Sequence, residues 1–508
     1  MGVTTSTTVE DRKRYRPEPS VRTALKTPRL LTREALAGLV VALALIPEAI
    51  SFSIIAGVDP KVGLFSSFIM AITIAFVGGR PAMITAATGA IALVIAPVAR
   101  DHGMDYFIAT VLLAGLLQIV LAVFGVAKLM RFIPRSVMVG FVNALAILIF
   151  MAQVPELLGV PWMVYPLIAI GLLIMVFMPK ITKVVPAPLV SIIVVTAAVV
   201  VFAINVPAVG DKGELPRSLP ELFIPNVPLT FETLTIIAPY ALAMALVGLM
   251  ESLMTAKLVD DVTDTHSNKT RESWGQGVAN IASGIFGGMG GCAMIGQTMI
   301  NVKASGARTR ISTFLAGVFL LILIVALGDI VAIIPMAALV AVMIMVSVGT
   351  FDWHSIRPST LKRMPKSETT VMVVTVAVVV ATHNLAIGVV VGVFVASVMF
   401  VRRVAHFVTV KREVMEHFGE ERAYYTVVGE LFFASSNDLT TQFEYAQDPG
   451  QVVVDMTQSH IWDASTVAAL DAIVTKYEQH GKAVELIGMN EYTTAFHTRL
   501  TGGLGAGH

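Results

Sequence analysis

Two carboxylates stand where water is scarce. In LALIPEAISFS, residues 43 to 53, Glu48 is the one ionisable residue between Ala35 and Gly57. Glu251 interrupts a second apolar run, 233 to 256. A bare carboxylate at bilayer depth is costly, so such residues mark ion or proton pathways. A carboxyl withdrawn from water favours its neutral form. It can therefore take a proton while open to one side of a membrane and release it on the other. The bland alternative is a permanently protonated acid that pins its helix through hydrogen bonds. That alternative weighs more for Glu251, because Lys257 follows six residues later and places it near the inner face.

Each acid is followed by a glycine-rich interruption. GGRPAMITAATGA (78 to 90) and GGMGGCAMIGQTM (287 to 299) both pair Gly-Gly with a later Ala-Met-Ile, at 34 residues from Glu48 to Ala82 and 42 from Glu251 to Ala293. Glycines and Pro81 should stop a helix from spanning, so an extended stretch precedes a half-helix beginning near Met83 and near Met294. Extended backbone at that depth survives only when buried or lining a cavity. Two half-helix N-termini facing one cavity would present free N–H groups and partial positive charge, which suits an anion. Thr85, Thr88, Gln297 and Thr298 can add donors. No Lys or Arg lies between Met83 and Ala99 or between Ala293 and Val302, so dipoles and hydroxyls would have to bind the anion. The competing reading is a small-residue helix-packing interface.

The elements that must hold these groups are membrane spans. The chain of 508 residues is 56% hydrophobic and 14% charged, with mean hydropathy +0.78, outside soluble globular usage. Taking about 20 apolar residues as a span, with shorter ones tolerated in packed bundles, fourteen segments are legible: 35–56, 62–78, 83–99, 106–127, 136–154, 163–178, 187–206, 233–256, 273–287, 293–304, 311–327, 330–349, 368–383 and 384–401. The run from Val371 to Val401 would be roughly 46 Å as one helix, too long for one crossing, and divides at Thr382-His383-Asn384. Glu48 lies in the first segment and Glu251 in the eighth. Seven is odd, so the two halves, 35–206 and 233–401, lie in opposite orientations, which is the inverted-repeat pattern of secondary transporters.

Loop charge supports this frame. With the N-terminus inside, fourteen Lys and Arg fall in the inner loops, against Lys61, Arg100, Lys212 and Arg217 outside, as the positive-inside rule requires. Residues 1 to 34 are polar and basic and read as a solvated cytoplasmic arm, without a signal peptide. The net charge of +1 gives no indication of nucleic acid, and the single Cys292 permits no disulfide framework. After Arg402-Arg403 the composition changes. Strand-like YYTVVGEL, QVVVDM and AVELIGM alternate with helical NDLTTQFEYA, STVAALDAIVTKYEQHG and EYTTAFHTRL, the pattern of a small α/β domain over 404–508.

Other polar groups offer less. Asp260, Asp261, Asp264 and His266 sit in a basic loop and read as solvated, not as a metal site. His383 reads as a turn. Ser465, in IWDASTVAAL, lies at a helix start, where plain N-capping by Asp463 or Ser465 is expected. No nucleophile, base and orienting residue recur together, so the chain does not read as an enzyme, and no cofactor is called for.

The stretches LIPEAISFSIIAGVDPKVGLFSS, RFIPRSVMVGFVNALAILIF and ESLMTAKLVDDVTDTHSNKTRESWGQGVANIASGIFGGMGG, with the C-terminal α/β module, resemble the SulP sulfate permeases, known in animals as solute carrier family 26. The resemblance covers nearly the whole chain. It implies fourteen segments in two inverted repeats of seven, a core domain moving against a gate domain, a cytoplasmic STAS (sulfate transporter and anti-sigma factor antagonist) domain, homodimeric assembly and a place in a bacterial cytoplasmic (inner) membrane with both termini inside. Residue by residue it implies Glu48 as the first-helix acid, a first half-helix start of Thr85, Ala86, Ala87, Thr88 and Gly89, an eighth-helix site of Glu251, Ser252 and Thr255, and a second half-helix start of Ala293, Met294, Ile295, Gly296, Gln297 and Thr298. Related modules can be phosphorylated where Ser465 stands, but here Ala464 replaces a second hydroxyl. Some animal members carry an arginine where Gln297-Thr298 aligns, and a sodium-coupled bicarbonate branch uses aspartate at Glu251.

Substrates in that family run from sulfate, bicarbonate, chloride and oxalate to dicarboxylates, and fold does not choose among them. The expectation is a secondary active symporter moving a small anion with protons by alternating access. The alternatives are an uncoupled anion exchanger or channel, a sodium-coupled bicarbonate symporter, and a membrane-anchored signalling protein acting through its STAS module. Anchoring needs one span, which leaves two acid-bearing broken repeats unexplained.

Overall fold

The computed structural model describes residues 19–129, 133–181, 186–216, 218–405, 408–417 and 420–501. It divides into two compact units, Met1–Gly392 and Val393–His508.

In the first unit the chain runs α1 (Val21–Lys26), α2 (Pro28–Ala56), α3 (Pro60–Val77), β1 (Thr85–Ala86), α4 (Gly89–Val123), α5 (Val126–Leu129), α6 (Arg135–Met151), α7 (Val164–Ile181) and α8 (Ala187–Val201). The second half follows as α9 (Phe231–Thr263), α10 (Lys269–Ile285), β2 (Cys292–Ala293), α11 (Ile295–Met299), α12 (Arg310–Ala326), α13 (Gly328–Ala332), α14 (Met336–Thr350), α15 (Pro358–Arg363) and α16 (Lys366–Thr382), and α17 (Leu385–Ala405) begins in this unit and continues into the second. Each of the fourteen apolar segments overlaps a helix. Among the described residues, seven helices are long and apolar enough to cross a membrane. The segments 83–99 and 106–127 belong to one run, α4, bent where Gly103 takes φ 82°, a conformation open to glycine at little cost. His383 ends α16 in the left-handed region, the expected turn.

Two boundaries differ from expectation. The polar arm does not extend to residue 34: α2 begins at Pro28, with proline at a helix start where its missing N–H costs nothing, and Glu34 is buried. Its carboxylate accepts from the backbone N–H groups of Arg308 (2.8 Å) and Thr309 (3.2 Å), closing the loop before α12. The rest of the expected arm, 1–18, lies outside the described residues, as does Arg217. The first half-helix begins at Gly89, not near Met83. Residues 83–88 form no helix, and Ala82, in the turn before them, holds φ 59°, unusual for a residue with a Cβ.

The second unit carries β3 (Thr409–His417), β4 (Glu420–Leu431), α18 (Phe433–Leu439), β5 (Gln451–Ile461), α19 (Ala464–Gln479), β6 (Ala483–Ile487) and α20 (Glu491–Leu500). The sheet order is β3-β4-β5-β6, with β3 antiparallel to β4 and the other pairs parallel. The three expected strands are present. β3 was not foreseen, and the helix expected over NDLTTQFEYA instead forms earlier, at Phe433–Leu439, where Ser435 bonds back to the Phe432 N–H. Asp463, not Ser465, caps α19, accepting from the Thr466 N–H at 3.1 Å.

Candidate functional site

The extended stretches of the two halves cross. β1 and β2 pair antiparallel, Thr85 opposite Ala293 and Ala86 opposite Cys292. A two-fold through this pair equates Ala86 with Ala293, so the shared Ala-Met-Ile at 82 and 293 was a misleading alignment, slipped by four residues. The crossing is tight. A Cβ on Gly291 would come 1.9 Å from the Ala86 carbonyl oxygen, so only glycine fits there.

Backbone without helix at membrane depth must find partners, and polar side chains supply them. One face of α10 carries Glu272, Gln276, Asn280 and Ser283 at helical spacing. Glu272 Oε2 accepts from the N–H groups of Gly79 (2.7 Å) and Arg80 (2.9 Å). Gln276 donates to Thr85 Oγ1 at 2.9 Å. Asn280 both accepts from Gly291 N–H (2.8 Å) and donates to its carbonyl. Ser283 accepts from Gly290 N–H. From other helices, Ser67 accepts from Ala87 N–H, Thr313 donates to the Met83 carbonyl and Asn301 to the Ala82 carbonyl. None of these was singled out from the sequence, although the α10 stripe was readable by its spacing.

The site residues divide by what their side chains do. Thr85, Thr298, Ser252 and Thr255 are fully buried and serve the scaffold. Thr298 Oγ1 accepts from Ile84 N–H at 3.0 Å, Ser252 Oγ from Ala293 N–H at 3.0 Å, and Thr255 donates to the Glu251 carbonyl at 2.8 Å. Ala86, Ala87 and Ala293 are buried backbone. Thr88 caps α4, its hydroxyl 3.4 Å from Ile91 N–H. Met294 caps α11, its N–H bonded to the Ile84 carbonyl. Beyond these caps the first N–H groups, of Gly89 and Ala90 on one side and Ile295 and Gly296 on the other, have no backbone acceptor among the described residues, as helix geometry dictates. Gly296 is exposed, with no atom within 4 Å of where a Cβ would stand. Open space therefore lies before the second half-helix.

Both acids join this crossing. Glu48, 8% exposed, lies beside the Gln297 side chain of α11. Glu251 Oε2 accepts from Cys292 Sγ at 2.9 Å, and that sulfur lies 3.1 Å from Thr88 Oγ1. Neither acid forms an ion pair with a described Lys, Arg or His. Cys292 was missed as a site residue, since a lone cysteine in a glycine-rich run carries no spacing signal. By contrast Asp260 pairs with Arg80 (3.2 Å) and Lys269 (2.7 Å), and no group of three metal-ligating side chains occurs among the described residues. A cavity of about 1160 Å³ between the α2–α3 turn, residues 210–223 and α13 is lined by none of the site residues.

Comparison with known proteins agrees with this architecture. Residues 31–166 and 160–375 match the Sulfate permease family, and residues 414–500 match the STAS domain. "Putative sulfate transporter YbaR" of Bacillus subtilis (strain 168) is 53% identical over 91% of this chain and 95% of its own. "Bicarbonate transporter BicA" of a Picosynechococcus species is 28% identical over 73% of this chain and 70% of its own. Among solved structures, murine Slc26a9 in an inward-facing state aligns over 93% of this chain and 88% of that one with TM-score 0.79 at 16% identity. The transmembrane domain of a cyanobacterial BicA aligns over 73% and 98% with TM-score 0.62 at 24% identity. The fold is thus that of a helical membrane transporter with a C-terminal STAS domain, and the chain belongs to the sulfate permease family.

Proposed function

We propose that this chain is a proton-coupled symporter of a small oxyanion of the sulfate or bicarbonate kind. The observation that carries the reading is that each buried acid lies at a half-helix start, Glu48 beside Gln297 and Glu251 bonded to Cys292, which meets Thr88. The anion is held between Gly89 and Gly296 by the free N–H groups of the two half-helices. These supply about half a positive charge each, enough for one negative charge. No described cation pairs with either acid. A dianion, or an anion beside ionised carboxylates, would therefore need protons on Glu48 and Glu251, which ties proton uptake to substrate binding. Relatives named for sulfate and for bicarbonate both fit this charge balance. Loop charge supports an orientation with both termini on the cytoplasmic side of the membrane. The STAS module takes a regulatory and assembly role outside the transport path.

The test is uptake into proteoliposomes from labelled sulfate and bicarbonate, with and without an inward proton gradient. Glu48→Gln keeps the size and polarity of the side chain beside Gln297 but cannot cycle a proton, so it should fold and bind yet lose accumulation. If it concentrates substrate as well as the parent does, coupling through Glu48 is wrong.

A further inference from the structure

Between α14 and α16 the chain carries a surface that anion transport does not use. Arg357, Lys362, Arg363 and Lys366 fall within ten residues that contain no acid. All four are exposed, and none forms an ion pair or side-chain hydrogen bond among the described residues. The flanking acids are Asp352, which accepts from the N–H groups of His354 and Ser355, and the exposed Glu368. Immediately before the cations, Trp353 and Ile356 are 52% and 42% exposed. The Trp353 indole N–H is already bonded to the Val348 carbonyl at 2.8 Å, and its ring lies 4.8 Å from that of Phe351.

The segment is held in place. Asn143, within α6, accepts from Asp352 N–H (2.8 Å) and donates to Ser355 Oγ (2.9 Å). Asn143 and Ser355 are both buried. The apolar pair and the cations are thus presented from a fixed turn at the ends of two apolar helices.

We propose that residues 353–366 form a docking surface for anionic phospholipid headgroups. Trp353 and Ile356 enter the boundary between headgroup and acyl chain, and Arg357, Lys362, Arg363 and Lys366 hold the phosphates. Aromatic rings prefer that interface, and basic clusters beside a membrane helix attract anionic lipid. A soluble anion would gain nothing from Trp353 and Ile356, whereas a lipid uses both halves of the surface.

The test follows thermal unfolding of the full chain in detergent with added phosphatidylglycerol, phosphatidylcholine or glycerol 3-phosphate, and so does not depend on the transported substrate. Phosphatidylglycerol should raise the midpoint well above the other two. The variant R357Q/K362Q/R363Q/K366Q should melt like the parent in phosphatidylcholine and lose most of the rise. Trp353→Ala should lose part of it. If the fourfold variant does not fold, the pairs R357Q/K362Q and R363Q/K366Q, made separately, should each lose part. An undiminished rise in the charge variants, or an equal rise from glycerol 3-phosphate, would overturn the proposal.

Discussion

Thr88 and Cys292 meet at 3.1 Å where the two halves of the chain cross, and through the cysteine Thr88 reaches Glu251. Glu251 is 8% exposed and Cys292 fully buried, so the thiol's bond is one the carboxyl cannot replace with bulk water. Cys292→Ala should lower stability by about 1–3 kcal/mol, the cost of leaving a buried polar atom without its partner. Cys292→Ser, which keeps a donor, should recover most of it. Unfolding midpoints in detergent decide this, and an alanine variant as stable as the parent would show that the contact contributes nothing.

The open space at Gly296 makes it the position at which to block the proposed anion site. Gly296→Trp should abolish substrate binding with little change in melting, since Gly296 is exposed and a Cβ there meets no neighbouring atom. Ala293→Phe is a poorer probe: Ala293 is fully buried between Ser252 and Thr255, so added bulk there should cost about 1–3 kcal/mol by overpacking. Binding measured by calorimetry on both variants checks this. Undiminished binding in Gly296→Trp would move the site elsewhere.

Glu272 should prove as important to folding as Glu48 is proposed to be to transport. It is fully buried and satisfies two backbone N–H groups as well as Gln276. Glu272→Ala strands those donors and should cost roughly 3 kcal/mol or more, read as a lower yield of folded protein and a lower melting point. Glu272→Gln should lose less. A fully stable alanine variant would mean that the segment 78–80 has other support.

In the STAS module Asp448 is the hub. Its fully buried carboxylate takes bonds from Arg412 Nη2 (2.7 Å), Tyr425 (2.7 Å) and Tyr477. Asp448→Ala should cost the lower end of roughly 3–5 kcal/mol, because Arg412 keeps a third of its exposure, and should speed hydrogen exchange across 443–450. Burial, and after it the bond to Asp448, holds both tyrosine hydroxyls protonated above their usual value near 10. A raised value in the folded state stabilises below the unfolded one and is lost above it. The module's melting point should therefore be insensitive to these tyrosines at neutral pH and fall only above about pH 10, as pH-dependent circular dichroism would show.

What the sequence disclosed follows from how strongly each physical signal stands out. A single charge in an apolar run is visible without a structure, so Glu48 and Glu251 were legible, as were the segments broken by glycine. Register was not: the repeated Ala-Met-Ile offered a false match, because strands only two residues long carry no pattern that fixes their pairing. The α10 stripe was readable but lay across an assumed loop boundary, with Glu272 assigned to polar loop and Gln276 to a span. Asn301 and Ser67 could not be found at all, since their partners lie 219 and 20 residues away along the chain. The helix at Phe433–Leu439 was displaced in the reading because its start is set by Ser435 and Asp463 bonding back to the chain, one of them from a distant strand end.

The crossing of β1 and β2 also constrains how this chain can change. With two residues on each side, the ladder has no slack to absorb an insertion, and one extra residue before Thr85 would turn every following side chain to the opposite face. Thr88 would leave Cys292, and the start of α4 would shift with it. Gly291 admits no side chain against Ala86, so neither strand can retreat to make room. The two halves, more than 200 residues apart in sequence, are therefore bound to a common length: an insertion or deletion tolerated in one of these turns must be matched in the other, and substitutions at 85–89 and 291–296 should be selected as pairs.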